Sequence, residues 1–387
     1  MKSNYKKIGH YITPINNRNT ELKVKELMGI NIEKHFMQSV ANTVGTDMSK
    51  YKIVKKGQFA CNRMHVGRDK RLPIALWKDE SNIIVSPAYD VFEIKDTRIL
   101  NPDYLMMWFL REEFDRNAWF FTDADVRGGL KWEDLCNLHL PVPSIAEQEK
   151  IVTEYNALID REKLNYDFIE KLEETALTIY NRWFVDFEFP DEKGKPYKTN
   201  GGGMDFNENL DKEIPKGWGV ETLSLLSELK YGKMLNEDFF LEEGYPVFSG
   251  YGIRGYYSEY LYKEPQILVI ARGVSGTGKV VMSPRNSYVT NLSIVVEVNN
   301  QLVNKTFLYY FLKNSNLRSL DSGSAQSQIT TKDLSNVKVL MPPLKLQNEL
   351  AKLIDVLHEH INLKEEDNKL LNKLIGTLLS TLVTRGD

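Results

Sequence analysis

The chain repeats itself after about 200 residues, and this internal repeat constrains its fold more than any other feature of the sequence. The segment that begins at Ala124 aligns with the segment that begins at Ser324, and the matched residues keep their order. The matched pairs share a constant offset: Leu130 with Ile329, Asp134 with Asp333, Leu135 with Leu334, Pro143 with Pro342, and Gln148 with Gln347. Upstream segments match as well, so the whole chain is predicted to consist of two related halves.

Each half follows the same plan. Runs of branched residues bounded by Gly, Pro and Asn predict strands, for example those that begin at Ile267 and Ser293. Short amphipathic helices are predicted over Tyr104–Phe114 and Phe307–Asn314. A polar loop and a further strand-like stretch follow, and each half then reaches a proline-rich stop: Leu140–Ser144 in the first half and Leu340–Leu344 in the second.

A long helix is predicted after each proline stop. Ser144 with Glu147 three residues later has the arrangement of a capping box. Apolar residues then recur at heptad spacing, which indicates coiled-coil pairing, with burial in an ordinary core as the alternative. In the first helix these residues are Ile151, Val152, Leu158, Ile159, Tyr166, Leu172, Ile179 and Tyr180. In the second they are Leu350, Ile354, Leu357, Ile361, Leu371, Ile375, Leu378 and Leu382.

These patterns predict an α+β fold, in which two related domains of mixed structure are each followed by a long helix. A segment rich in Pro, Gly and Asn marks the clearest boundary. The predicted segments are residues 1–143 (first domain), 144–189 (first long helix), 190–213 (linker), 214–341 (second domain) and 342–387 (second long helix).

The net charge of −3 is unevenly distributed. Residues 50–71 hold eight basic residues against Asp69 alone, whereas residues 144–174 hold nine acidic and four basic residues. One region is therefore suited to phosphates and the other to water or a protein partner. Cys61 and Cys136 lie far apart, as expected in a reducing cytoplasm, and neither a signal peptide nor a membrane span is expected.

Several catalytic motifs are matched only in part. Gly273–Lys279 fits the start of a nucleotide-binding P-loop, but Val280 replaces the hydroxyl residue, and strand-like residues follow where a helix is needed. Asn101–Tyr104 is similar to the N-P-P-Y loop of amino-methyltransferases, but Asp103 replaces the second proline. Pro190-Asp191 with a later Glu228–Lys230 satisfies only a loose nuclease pattern. The six histidines show no metal spacing. The chain is therefore expected to lack a catalytic site and to bind no cofactor or metal itself.

The order and duplication of these motifs resemble the specificity (S) subunit of bacterial type I restriction-modification systems. The resemblance spans nearly the whole chain and rests on four segments: Leu140–Ile151, Ile214–Trp218, Arg272–Lys279 and Met341–Ile354. It implies a non-catalytic subunit with two target-recognition domains, each of which reads half of a split site in double-stranded DNA. It also implies that two long antiparallel coiled-coil helices join these domains in a pseudo-twofold internal repeat. It also implies that the helices dock two methyltransferase subunits, which carry S-adenosylmethionine, and that restriction subunits, which use ATP and Mg²⁺, then join.

Candidate DNA contacts follow from charge and side-chain chemistry, since basic residues bind phosphates while Arg suits guanine edges and Gln suits adenine edges. The phosphate candidates are Lys55, Lys56, Arg68, Lys70, Lys279 and Arg285. The base-reading candidates are Arg63, Arg71, Arg127, Arg254, Arg272, Gln326 and Gln328. Two other functions stay open: a P-loop-like nucleotide hydrolase that uses Gly273–Lys279, and a coiled-coil scaffold that binds protein instead of DNA.

Overall fold

The computed structural model describes residues 5–40, 45–64, 66–122, 128–250, 252–273, 276–321 and 327–382. The chain divides into two compact units, of which unit 1 comprises Met1–Asn165 with Glu365–Asp387 and unit 2 comprises Tyr166–Lys364. Each unit therefore holds one predicted recognition domain together with parts of both long helices. The predicted α+β class is confirmed, since both units contain strands and helices.

Unit 1 begins with short strands that lead into helices. Its strands are β1 Tyr5–Lys7, β2 Ile12–Ile15, β3 Met28–Ile30, β4 Phe36–Gln38, β5 Lys52–Val54, β6 Phe59–Cys61, β7 Ile74–Leu76, β8 Ile83–Val85, β9 Asp90–Ile94 and β10 His139–Pro141. Its helices are α1 Val66–Asp69, α2 Pro102–Phe109, α3 Glu112–Phe120, α4 Trp132–Asn137 and the first part of the long helix α5 Ile145–Phe184.

A four-stranded antiparallel sheet, in the order β2-β9-β6-β7, forms the centre of unit 1. Phe59 and Phe92 stack on neighbouring strands with ring centroids 5.0 Å apart, and Phe109 of α2 meets both rings edge-on. The first strand pairs with the last, since Tyr5 of β1 lies opposite Pro141 of β10. The domain thus closes on itself just before the long helix begins.

Unit 2 repeats this plan with additional strands. Its strands are β11 Met204–Asn207, β12 Lys212–Pro215, β13 Gly219–Thr222, β14 Ser227–Tyr231, β15 Tyr245–Ser249, β16 Gly252–Tyr257, β17 Ile267–Ile270, β18 Val280–Met282, β19 Tyr288–Val289, β20 Ser293–Val298 and β21 Lys338–Met341. Its helices are α6 Leu223–Leu226, α7 Lys305–Asn314, α8 Thr331–Ser335 and the first part of the long helix α9 Leu344–Thr381.

The sheet order β14-β20-β17-β18 in unit 2 matches the order β2-β9-β6-β7 in unit 1, and all of its pairings are antiparallel. Here too the first strand of the domain pairs with the last, because Gly219 of β13 lies opposite Met341 of β21. The strands predicted from Ile267 and from Ser293 are β17 and β20. The two units therefore share one arrangement of strands, as the internal repeat of the sequence predicts.

Both predicted long helices are confirmed, and in each unit α5 and α9 pack together. In unit 1, Glu162 contacts Asn372 while Asn165 contacts Asn368, so the two helix segments run antiparallel there. Ile151 and Leu382 are buried in the unit 1 core, and Tyr180 and Ile354 are buried in the unit 2 core. The heptad prediction was wrong at one position: the Tyr166 side chain is 56% exposed, because the neighbouring Asn165 faces the partner helix instead.

Two local predictions need correction. The helix predicted over Tyr104–Phe114 is two helices, α2 and α3, because the backbone of Arg111 is extended and its buried guanidinium lies 4.2 Å from the Trp108 ring. The predicted linker is not wholly irregular, since β11 and β12 form an antiparallel hairpin within residues 190–215. Ahead of this hairpin, the Phe189 ring stacks on Trp218, with the ring centroids 5.2 Å apart.

Candidate nucleic-acid interface

Two loops meet beside the end of strand β6 in unit 1. The first joins β6 to β7 and carries the basic residues of the sequence, while the second leads into α4. The backbone N–H of Leu130 donates to the Arg63 carbonyl at 3.0 Å, and that of Gly67 donates to the Gly128 carbonyl at 3.0 Å. Residues 62–64, 66–72 and 128–131 therefore adjoin each other in the fold, although the two segments lie about 60 residues apart in the sequence.

The corresponding loops meet in the same way in unit 2. The loop from β17 to β18 follows Ala271, whose carbonyl accepts a hydrogen bond from the Ile329 N–H at 2.9 Å. Arg272 and Gln328 are partners in an isolated antiparallel β-bridge. Thr330 and Asp333 form a capping box at the start of α8, which fixes the end of this loop. The structure thus brings together two base-reading candidates that lie far apart in the sequence.

Residues 276–279 of the unit 2 loop belong to the turn of a hairpin that leads into β18. The Gly278 N–H donates to the Ile270 carbonyl at 2.9 Å, and the Ile270 N–H donates to the Lys279 carbonyl at 2.9 Å. Gly278 has a φ of +86°, and a Cβ there would lie 2.7 Å from the Arg318 backbone nitrogen, so only glycine fits. Strand β18 begins at Val280, where a P-loop would have the N-terminus of a helix.

Arg63 is held within unit 1 by three contacts. Its Nε pairs with Asp90 of β9 at 2.5 Å, its Nη1 donates to the Leu130 carbonyl, and its guanidinium lies 5.9 Å from the Trp132 ring. The guanidinium therefore connects the sheet, the second loop and α4. These contacts make Arg63 a residue that positions the loops, and whether it also reads a base stays a prediction.

The remaining basic candidates of the first loop lie at the surface beside α3. Arg68 forms a bidentate pair with Asp69 at 2.6 and 3.0 Å, and this bonding raises the pKa of Arg68. The Lys70 ammonium lies 5.4 Å from the Trp119 ring, and Arg71 pairs with Glu33 at 2.9 Å. All three pairs are exposed or half-buried, and such pairs are weak enough to exchange for phosphate.

Lys55 and Lys56 lie elsewhere. Both belong to the turn that precedes β6, whereas Arg63 follows the end of that strand, so about 10 Å of strand separates the two groups. Lys56 pairs with the exposed Glu80, and the Lys55 side chain is exposed. The run of basic residues in the sequence is therefore divided between the two ends of β6.

The other candidates of unit 2 are also spread out. Lys279 is exposed at the end of the hairpin turn and Arg254 is exposed on β16 in a different sheet. Arg285 pairs with Glu264 at 3.3 Å and follows β18, at the far end of the hairpin from Arg272. Arg127 and Gln326 lie outside the described residues, so their predicted roles stay predictions.

An ion pair that the sequence analysis missed anchors the unit 1 loop. The Lys34 ammonium lies 2.8 Å from Asp115 of α3, and the same carboxylate accepts the Leu72 N–H at 3.0 Å. Burial lowers the pKa of Lys34, while the Asp115 charge opposes that shift. Nothing in the sequence pattern links Lys34 to Asp115, because the two residues lie 81 positions apart in the chain.

A buried glutamine connects each domain to its long helix. Gln148 Oε1 accepts the Asn101 N–H at 2.8 Å, and Gln148 Nε2 donates to the Ile99 and Pro143 carbonyls at 2.9 and 2.8 Å. Gln347 repeats this pattern with Asn304 at 2.9 Å and Pro342 at 2.8 Å. Both glutamines are fully buried, so the matched Gln of the sequence repeat is a structural element.

Among the described residues, no group of His, Cys, Asp or Glu side chains is arranged to hold a metal ion. Cys61 is buried, which raises the pKa of its thiol, and Cys136 is half-buried; neither forms a disulfide. In the same parts of the chain, no helix combines the length and the apolar character needed to cross a bilayer.

The chain is similar in sequence to specificity domains and subunits of type I restriction enzymes. Residues 215–373 match the family described as type I restriction modification DNA specificity domain. The MjaIX specificity subunit of a type I restriction enzyme from Methanocaldococcus jannaschii is 27% identical over 289 residues. That match covers 67% of this chain and 64%, just under two thirds, of the relative.

Two further similarities cover nearly the whole chain. The putative MjaX specificity subunit of the same organism is 22% identical over 411 residues, which cover 99% of this chain and 88% of the relative. The crystal structure of the S subunit of the type I restriction-modification system from M. genitalium has a TM-score of 0.59 at 17% identity. That comparison covers 98% of this chain and 95% of the other. At this low identity, the similarity shows a shared fold alone.

Proposed function

We propose that this chain, which is similar in sequence and in fold to specificity subunits of type I restriction-modification systems, selects the DNA sequence on which such a complex acts. Its two target-recognition domains would each read one half of a bipartite site in double-stranded DNA. The observation that carries this proposal is the pair of adjoining loops that occurs once in each unit. The backbone framework of the loops is shared, whereas the exposed side chains differ.

The difference between the loops supports separate half-sites. Unit 1 presents Arg68, Lys70 and Arg71 beside α3, whereas unit 2 presents Arg272 and Gln328 across a β-bridge. Phosphate contacts give affinity without sequence information, and side chains at base edges give specificity. Two frameworks with different exposed side chains are therefore suited to read two different sequences.

The long helices are the proposed docking surface for two methyltransferase subunits, with restriction subunits joining afterwards. Residues 144–174 carry nine acidic and four basic residues, so the exposed face of α5 suits a protein surface better than DNA. The chain itself would be non-catalytic and cytoplasmic. The methyltransferase subunits would supply S-adenosylmethionine, and the restriction subunits would use ATP and Mg²⁺.

A domain exchange tests this proposal. Residues 216–340 would be replaced by the matching segment of a relative with a different target, and the sites methylated by the complex with its methyltransferase would be mapped. Because the segment contains β13 and all of β21 except Met341, the exchanged domain keeps nearly all of its closing strand pair. We expect one half of the site to change while the other half and the spacing stay the same.

The control is the reciprocal exchange of residues 1–143, which is expected to change only the other half-site. A change of both half-sites in either chimera would contradict modular reading. Absence of salt-sensitive, sequence-specific DNA binding by the unmodified chain with its methyltransferase would contradict the proposal altogether, and would favour the protein-binding scaffold.

A further inference from the structure

Three consecutive aromatic side chains are exposed at the C-terminal end of α3. Trp119 is 43% exposed, Phe120 78% and Phe121 47%. The backbone beneath them is fixed, because the Thr122 N–H and hydroxyl donate to the Trp119 carbonyl at 3.0 and 2.7 Å. The Phe120 and Phe121 rings meet edge-on, with centroids 5.5 Å apart. Adjacent exposed aromatic rings on an ordered helix end indicate an interaction surface.

This aromatic group adjoins the basic loop of unit 1. Helix α1 of that loop contacts α3, and the Lys70 ammonium lies 5.4 Å from the Trp119 ring. Asp115 of α3 also holds the loop through the Leu72 N–H and the buried Lys34 ammonium. Helix α3 therefore holds the cationic side chains of the loop next to the exposed aromatic rings.

DNA is the partner whose chemistry matches both features. Its phosphates attract Arg68 and Lys70, while its base pairs are flat apolar surfaces between which aromatic side chains insert and unstack a step. Because residues 66–72 carry three basic residues against Asp69, a negatively charged partner is favoured over a basic or neutral protein.

We propose that Phe120 and Phe121 act as a wedge that enters between base pairs of the DNA bound to unit 1, while Arg68 and Lys70 hold the flanking phosphates. This inference rests on the proposed DNA-recognition function and adds deformation of the DNA to it. The wedge acts at one half-site alone, because unit 2 has no corresponding run: residues 315–321, which follow α7, contain no aromatic residue.

The test uses the full chain in complex with its methyltransferase. The DNA is a duplex that carries the site found by methylation mapping, with 2-aminopurine at successive positions of each half-site. The variant is Phe120→Ala with Phe121→Ala, and Phe206→Ala is the matched control, since Phe206 is 63% exposed on β11. Because all three side chains are exposed, these variants should fold, and circular dichroism checks this.

With the unmodified chain, we expect 2-aminopurine fluorescence to rise several-fold at one step of the half-site read by unit 1. The double variant should lose that rise and bind the site about tenfold more weakly, with an unchanged salt dependence. The conservative variant Phe120→Tyr with Phe121→Tyr should retain the rise, and Phe206→Ala should behave as the unmodified chain.

An unchanged fluorescence rise and affinity in the double variant would overturn the wedge while leaving DNA recognition intact. Loss of methyltransferase binding, with the fluorescence rise retained in whatever complex forms, would also overturn it and would make the aromatic group a protein interface. Failure of the unmodified complex to bind the mapped site specifically would instead overturn the proposed function.

Discussion

Gln148 Oε1 accepts a hydrogen bond from the backbone N–H of Asn101 at 2.8 Å, and Gln148 lies fully buried in the first turn of α5. Asn101 in turn caps α2, because its side chain accepts the N–H groups of Asp103 and Tyr104. Gln347 and Asn304 have the same relationship in unit 2. Each recognition domain is thus joined to its long helix by one buried polar side chain.

Replacement of Gln148 by alanine should destabilise unit 1 by about 2–3 kcal/mol, because three backbone groups lose their buried partner at once. Thermal unfolding followed by circular dichroism measures the effect, and Gln347→Ala should give a comparable loss. The control is Lys150→Ala, an exposed position two residues further along α5. A Gln148→Ala chain as stable as the Lys150→Ala chain would refute this role.

The glutamines also show how far the sequence analysis could reach. The repeat aligned Gln148 with Gln347 correctly, because a long helix after a proline stop preserves spacing. It could not assign a function to either side chain, since the backbone N–H that each accepts belongs to a residue more than 40 positions upstream. Heptad periodicity likewise predicted both helices, yet it favoured Tyr166 over the buried Asn165, because an apolar pattern does not anticipate a polar residue in the helix contact.

Recognition residues were harder to predict than the fold. Charge and side-chain type alone put Arg63 and Arg272 in the same class, as repeat partners. In the structure Arg63 is bonded to Asp90 and Leu130, whereas Arg272 is exposed beside Gln328. The exposed run from Trp119 to Phe121 was overlooked, although three adjacent aromatic residues at a helix end beside a basic loop are visible in the sequence.

Arg272→Ala should relax recognition of one base pair in the half-site read by unit 2, at a cost of about 1–3 kcal/mol in binding. The reason is that an exposed guanidinium beside Gln328 can reach a base edge without breaking contacts within the described part of the domain. Competition binding with single-base variants of the site measures the discrimination. The melting temperature should stay within about 1 °C of the unmodified chain.

Arg63→Ala is the matched variant in unit 1, and its main effect should be on stability, because it leaves the half-buried Asp90 carboxylate without its 2.5 Å partner. Equal base discrimination by the Arg272→Ala and unmodified chains would remove Arg272 from the recognition surface. An Arg63→Ala chain of unchanged stability would contradict the positioning role of Arg63.

His358 should make unit 2 less stable in mild acid. Its Nε2 lies 2.9 Å from the Tyr310 hydroxyl, and burial lowers the pKa of His358. Asp355 and Glu173 oppose this shift, whereas Lys313 adds to it. Because the folded chain resists protonation while the unfolded chain takes up a proton near pH 6.5, stability is complete above that pH and is lost as the pH falls below it.

The measurement compares melting temperatures at pH 7.5 and pH 5.5. His358→Gln keeps a polar partner for Tyr310 but cannot ionise, so its melting temperature should fall less between the two pH values. His360→Gln is the control, because His360 is exposed on the same helix. Identical pH dependence in the His358→Gln and unmodified chains would show that another group is responsible.

Asn165 and Asn368 should fix the register of the two long helices in unit 1. They occupy the positions at which the heptad stripes lack an apolar residue, both are buried, and Asn165 Nδ2 donates to Asn368 Oδ1 at 2.8 Å and to Asp367 at 2.9 Å. Arg161 holds the same Asp367 carboxylate at 3.0 Å. A buried polar pair in a helix contact favours one register, because any shift leaves its groups without partners.

Asn165→Leu alone should lower the free energy of unfolding by about 1–3 kcal/mol, because it leaves Asn368 buried without its donor. The double change, with Asn368→Leu as well, should be more stable than the single variant, since both buried polar groups are removed together. A double-mutant cycle in urea measures the coupling between the two sites. If the two changes were additive, the Asn165–Asn368 bond would not contribute to the pairing of these helices.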